Sequence, residues 1–232
     1  RAFAAYVGQQ LDITKFSNDA EAVKKANNRV ALLTPIAKAF LTDKALESTL
    51  EAQMCFGGHG YIREWGMEQC IRDLRISQIY EGTNGIQALD LIGRKTIKTS
   101  GAFLAEYLEE IRTFANGLDD SLSIKAVTLD IAAKTEELTQ FIVEQSKQNP
   151  DFSSAVAVDY LHAVGMLSFV YMYARIAAAA QGKAESFYQN KLALAQYYSN
   201  KVLADFAARV QRVKTGTDVM MDFSAEYFTA QS

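Results

Sequence analysis

Apolar residues recur along most of this chain at three- and four-residue steps, the period of helices packed along one face. The first such run opens at Arg1 and ends near Leu11, after which "DITKFSND" reads as a polar connection. Asn18 or Asp19 then offers a side-chain cap. From Ala20 to about Phe56, the stripe Val23, Ala26, Val30, Leu33, Ile36, Ala37, Phe40 and Leu41 predicts one long helix. Pro35 removes a backbone donor inside it and is expected to bend it, and Gly57-Gly58 is expected to stop it. A shorter helix is predicted over Met67 to Ile79. Thr83 is placed to cap a further one through "NGIQALDLIGRKTI", with Ile86, Leu89 and Ile92 on one stripe. Asn84-Gly85 also suits the tight turn of a β-hairpin, but the apolar spacing after it favours the helix.

Beyond "KTSGAF", near residue 100, the pattern predicts helical stretches over about 102–117, 122–148, 152–181 and 184–214. They are separated by GLDDS, QNPDFSS and QGKAES, all turn or cap material. The last 15 residues carry no strong pattern. Short loops between long helices imply antiparallel neighbours. The predicted fold class is all-α, with a helical bundle over residues 1–98 and a second over 99–232.

Composition narrows the function more than the fold. The 232 residues are 49% hydrophobic and 22% charged, with two prolines, as expected of a globular helical protein. Formal charge is −3, with 13 basic and 11 acidic residues in the first hundred and 11 basic and 16 acidic after them. Neither part offers the basic surface that a nucleic acid requires, so no nucleic-acid partner is expected. The window Ala163–Ala180 is very apolar but carries Ser168 and Arg175 and is short for a membrane crossing. A buried bundle helix is expected there and no membrane span. Cys55 and Cys70 make no disulfide framework and no CxxC site, and a reducing cytoplasm fits them. The chain opens on Arg1 in mid-pattern with neither Met nor cap, as expected of a piece of something longer.

One stretch departs from the rest. "GGHGYIREWGMEQCIRDLRISQIYEGTNGIQ", Gly57 to Gln87, holds six of the 13 glycines and the sole tryptophan. Glycine turns let a backbone approach a ligand closely, and amides at a helix start suit phosphate. A helix stop followed by a tight turn asks for the same residues, and no strand precedes them as a Rossmann fingerprint would need. Glu81 falls just before a helix start, where the helix dipole favours its ionised form and burial would oppose it. Such opposing influences can make a carboxylate a base for a weakly acidic C–H. A solvated loop acid beside a helix cap would look the same. Arg72, Asp73 and Arg75, with Glu68, resemble a salt-bridged helix face. His59 and His162 are isolated, so no metal site is expected.

The run "GGHGYIREWGMEQCIRDLRISQIYEGTNGIQALDLIGRK" resembles the C-terminal domain of the acyl-CoA dehydrogenases across about residues 20–98. YEGTNGIQALDLIGRK, preceded by GGHGYIREWGMEQ, is similar to a bacterial long-form branch that includes 3-methylmercaptopropionyl-CoA dehydrogenase. The acidic second part resembles the extra helical domain of that branch. The resemblance implies an FAD-dependent oxidoreductase of fatty-acid β-oxidation type, which converts an acyl-CoA to a trans-2-enoyl-CoA. It implies that Glu81 removes the α-proton while the β-hydrogen leaves as hydride to the flavin. The Glu81 amide, with a flavin hydroxyl, would polarise the thioester carbonyl. Gly82 would leave space for the thioester and Tyr80 would line the acyl pocket. Gly57, Gly58, Thr83, Asn84 and Gly85 match flavin-contacting positions, the glycine pair serving a flavin bound mainly by a neighbouring subunit. The family's usual glutamine falls where Met54 stands, with Gln53 one residue earlier and about 100° away around the helix. Implied partners are an acyl-CoA substrate, an electron-transfer flavoprotein and further copies in a homo-oligomer. Two neighbouring readings are an acyl-CoA oxidase and a non-catalytic helical assembly module. Because the family's other domains supply most ligand contacts, the chain alone is expected to be inactive.

Overall fold

The structure, a computed structural model, describes residues 1–217, 220 and 223–229. Among them it is helical throughout, with two compact units, Arg1–Leu91 and Ile92–Ser232.

In the first unit, α1 (Ala2–Phe16) packs on the 36-residue α2 (Ala20–Cys55). Helix α1 continues one and a half turns past Leu11, through the segment expected to be a connection. Once a helix is nucleated each further residue adds a backbone bond, and the polar residues there need no partner outside it. Thr14, for example, donates to the Leu11 carbonyl at 2.7 Å. Asp19 caps α2 as expected, its Oδ1 accepting from the amides of Glu21 (2.9 Å) and Ala22 (3.2 Å). Replacing Asp19 by Ala leaves those amides without that acceptor and should cost about 0.5–2 kcal/mol, read from a urea midpoint. Ala26, Leu33, Ile36 and Phe40 of the anticipated stripe are buried, joined by Leu32 and Ala39. Arg29 is buried too, donating to the Tyr6 hydroxyl of α1 at 2.7 Å.

After α2 the chain makes short 3-10 turns, Gly57–Tyr61 and Arg63–Trp65, and then α3 (Met67–Arg75). A helix, not a hairpin, follows Thr83: α4 (Asn84–Leu89) runs on as a π-helical segment, Asp90–Ile97, within which the first unit ends. The buried positions are Ala88, Leu91 and Ile92, whereas Ile86 and Leu89 are exposed. Ile86 and Leu89 fall in the regular turns of α4, ahead of the π-helical segment, and the inward face there is the one that carries Ala88 and continues into Leu91 and Ile92.

The second unit contains α5 (Ala102–Asn116), α6 (Ile124–Gln148), α7 (Phe152–Ala180), α8 (Ser186–Asn200) and α9 (Asp205–Thr215). The stretch predicted as one helix over 184–214 is divided by a 3-10 turn, Val202–Ala204. That redirection buries Leu203, Phe206 and Val213, and no glycine or proline marks it in the sequence. Helices α6 and α7 are antiparallel: Ile124 clusters with Ala174 and Ala177, Thr139 meets Tyr160, and Phe141 meets Phe152. Helix α7 is apolar and long enough to cross a membrane by composition alone. However, 78% of its most apolar window is buried inside the protein, which is how a core helix behaves.

Candidate active site

Residues Tyr80 to Gly85 form one turn between the end of α3 and α4. Glu81 adopts φ +54° and Gly82 φ +83°. Two successive left-handed residues are unusual, and for a side chain such as Glu81 the conformation costs about 1–2 kcal/mol. Surrounding bonds hold it. Gln87 Nε2 donates to the Glu81 carbonyl at 3.1 Å, and Thr83 Oγ1 accepts from the Ile86 amide at 3.4 Å. Lys38 Nζ, from α2, donates to the Gly82 carbonyl and to Asn84 Oδ1, both at 2.7 Å. Asn84 Nδ2 donates in turn to Asp43 Oδ1 (2.6 Å), Thr42 Oγ1 (3.0 Å) and the Ala39 carbonyl (3.2 Å). Gln78 Nε2 reaches the same Asp43 oxygen at 2.6 Å.

The Glu81 and Tyr80 side chains are exposed, as are the Thr83 and Gly85 positions. Asn84 is different, since its side chain is committed to α2 and only its backbone remains for a ligand. Lys38, Asp43 and Gln78 were not singled out in the sequence. The available signal was a lysine inside the apolar run "PIAKAF", a residue type seldom placed among core positions. Burial pushes the Lys38 amine down from its ordinary value, while Asp43 and then Glu81 oppose that shift.

The two glycine turns are far apart. Lys38 marks the Glu81 turn on α2, and α2 ends at Cys55, just before Gly57. Seventeen residues at about 1.5 Å each separate them by roughly 25 Å. At Gly57 (φ +57°) and Gly58, a Cβ would meet nothing within 4 Å, so this backbone is open for approach. Gly60, two residues on, is packed: a Cβ there would lie 2.5 Å from the Gln53 carbonyl and 3.0 Å from Phe56 Cβ. Gly60→Ala should therefore destabilise the first unit by about 1–3 kcal/mol in denaturant titration. Gln53 Nε2 donates to the Gly60 carbonyl at 3.0 Å, so its amide braces the turn. His59 and Trp65 pack edge to face, with ring centroids 4.8 Å apart. On α3, Asp73 accepts from Gln69 at 2.6 Å instead of from the expected arginines. A cleft of about 700 Å³ lies between α2 and α3, lined by Tyr61, Arg63 and Arg72 among others. Neither Glu81 nor the glycine pair borders it.

Residues 17–96 match the family described as acyl-CoA dehydrogenase, C-terminal domain. Residues 107–224 match the family described as acetyl-CoA dehydrogenase C-terminal like. The chain belongs to the acyl-CoA dehydrogenase family. It is 30% identical to 3-methylmercaptopropionyl-CoA dehydrogenase of Ruegeria pomeroyi, over 97% of this chain and 40% of that protein. It is 27% identical to the broad-specificity linear acyl-CoA dehydrogenase FadE5 of Mycobacterium tuberculosis, over 90% of this chain and 37% of the other. Its fold matches the crystal structure of Caenorhabditis elegans ACDH-11 in complex with C11-CoA. There the TM-score is 0.72 at 19% identity, over 97% of this chain and 38% of that one. The chain thus spans about two fifths of the length of these relatives.

Proposed function

We propose that this chain is the C-terminal part of an FAD-dependent acyl-CoA dehydrogenase, in which Glu81 takes the α-proton of an acyl-CoA. The observation that carries the reading is the braced left-handed turn at Glu81-Gly82. It leaves the carboxylate exposed while fixing its backbone. The proposed product is the trans-2-enoyl-CoA. A carboxylate held to one backbone geometry can be aimed at a single C–H, and the adjoining amide can be aimed at the thioester carbonyl. Gly82, without a side chain, leaves room beside that carbonyl. Exposed Tyr80 lines the acyl group's path.

The residues present suit a flavin. Gly57 and Gly58 offer unobstructed backbone, and Thr83, Asn84 and Gly85 offer backbone at a helix start. The separation of roughly 25 Å between them supports assigning the glycine pair to a flavin held mainly by a neighbouring subunit, hence a homo-oligomer. When bound, FAD would accept the β-hydrogen as hydride. Electrons would then pass to an electron-transfer flavoprotein. Residues 1–98 would be the family's C-terminal helical domain and 99–232 an additional one. A reducing, cytoplasmic setting suits the free, exposed thiols of Cys55 and Cys70. The chain by itself would be inactive, because the remainder of its relatives' length would complete the site.

The test is anaerobic mixing of a flavin-loaded protein carrying this chain, completed to the length of its relatives, with acyl-CoAs of graded length. Loss of the visible flavin band with one or more of them supports the reading. Retention of the band with every thioester, despite bound FAD, sinks it.

A further inference from the structure

Lysine side chains ordinarily keep their ammonium in water, yet Lys38 lies half-buried on α2 between the buried Pro35-Ile36 and Ala39-Phe40 pairs. Two of its three N–H donors are engaged within the protein, on the Gly82 carbonyl and Asn84 Oδ1, each at 2.7 Å. Its partners lie 44 and 46 positions away in the chain, so the contact stitches the Glu81 turn to α2. Bonds from an ammonium to neutral acceptors are stronger than neutral pairs, and more so where water is partly excluded. Asn84 is clamped from its other end by Asp43, Thr42 and the Ala39 carbonyl. The acceptor that Lys38 uses is therefore itself immobile. With Gln87 on the Glu81 carbonyl, consecutive peptide carbonyls around the acid are tied down. Burial lowers the amine from its ordinary value, and the Asp43 and then the Glu81 carboxylate partly oppose that shift, so these two acids are what keep the charged form favourable beside the acceptors it bonds.

We propose that Lys38 is a positioning residue: its ammonium, acting with Asn84 and Asp43, clamps the Gly82 carbonyl to α2 and thereby holds the Glu81 carboxylate and amide in the geometry of proton abstraction. This rests on the dehydrogenase reading above for its catalytic half, whereas the clamp itself is a property of the first unit. Without the clamp, the left-handed turn relaxes toward ordinary backbone conformations. The carboxylate then samples directions from which no C–H is reachable.

The test uses Lys38→Met, which keeps the length and apolar stem but not the charge, and Lys38→Arg, which restores a cation. The first measurement is amide hydrogen exchange on this chain. In Lys38→Met, residues 80–86 should exchange at least about tenfold faster while Leu32 to Ile36 of α2 keep their protection. In Lys38→Arg the turn should stay close to the unsubstituted protein. The second is single-turnover flavin reduction in the completed, flavin-loaded protein. Lys38→Met should lower the reduction rate constant about 10- to 100-fold, with acyl-CoA affinity within about threefold, and Lys38→Arg should recover most of the rate. Asn84→Ser removes the carboxamide that anchors the clamp while leaving Lys38 in place. It should move both readouts the same way if Lys38→Met fails to fold. Unchanged exchange at the turn overturns the clamp. Accelerated exchange with an unchanged reduction rate overturns the positioning role. If the unsubstituted protein is reduced by no acyl-CoA, the dehydrogenase reading fails along with the catalytic half, and the exchange data still decide whether Lys38 clamps the turn.

Discussion

Glu81→Gln will reduce the rate of flavin bleaching by an acyl-CoA about 10²- to 10⁴-fold while leaving the thioester bound. The amide has nearly the same shape as the carboxylate, so the turn and its exposed side chain should persist. What is lost is the ability to accept a proton. The backbone amide of residue 81 stays in place, so the carbonyl of the substrate can still be held. Affinity should therefore change little while the rate constant collapses, the signature of an interaction made only in the transition state. Stopped-flow absorbance of the flavin band over a range of acyl-CoA concentrations separates the two quantities. Bleaching at the unsubstituted rate would return Glu81 to an ordinary loop acid.

The second large effect is on stability and lies in the other unit. Tyr160 of α7 is fully buried, and its hydroxyl sits in a line of bonds. Thr96 Oγ1 donates to it at 3.3 Å, and it meets Thr139 Oγ1 at 3.0 Å. Since Thr139 spends its own hydrogen on the Thr135 carbonyl (2.8 Å), the phenol is the donor to Thr139. Tyr160→Ala removes a whole ring from the core and should cost about 3–5 kcal/mol, whereas Tyr160→Phe should cost about 1 kcal/mol. Guanidinium titration of the two variants distinguishes the packing contribution from the bonds.

The same burial predicts a dependence on pH. Burial pushes the Tyr160 phenol up from its ordinary 10.0, against smaller opposing contributions from Thr139 and then Thr96. It also raises Tyr198, where neighbouring Tyr173 adds to the shift. A group whose folded value is raised binds its proton more tightly in the native state. Its stabilisation is complete below about pH 10 and is lost as pH climbs toward the folded values. The second unit should therefore unfold cooperatively in alkali, with these phenols ionising in the unfolding step as seen by absorbance near 295 nm. Tyr160→Phe should flatten that dependence. Gradual ionisation of every tyrosine in a still-folded protein would count against it.

Much of the architecture was readable from local signals. The 3.6-residue period, Asp19 as a cap and Gly57-Gly58 as a stop define α2 nearly to the residue, because caps and glycines act within one turn of where they stand. The spacing also gave α5, α6 and α7 closely, and it favoured the helix after Thr83 over the hairpin that Asn84-Gly85 allowed. The context of Glu81, an acid between a short helix and a capped one, left a base and a solvated loop acid both open, and the resemblance carried by YEGTNGIQALDLIGRK is what pointed to it. Three features were not legible in the local pattern. Helix α1 runs on to Phe16 because polar residues continue a helix as readily as they leave one. The last long helix divides at Val202 because burying Leu203 and Phe206 requires the chain to turn where nothing in the local sequence demands it. The Glu81 turn takes its left-handed form under bonds from Lys38, Asp43 and Gln87. The first two lie about forty residues away, beyond any local pattern. Sequence alone thus determined which segments are helical, since that depends on neighbours a few residues apart, and its resemblance to a family drew attention to one acid. How that acid is held was decided by side chains that meet only when α2 and the turn fold against each other.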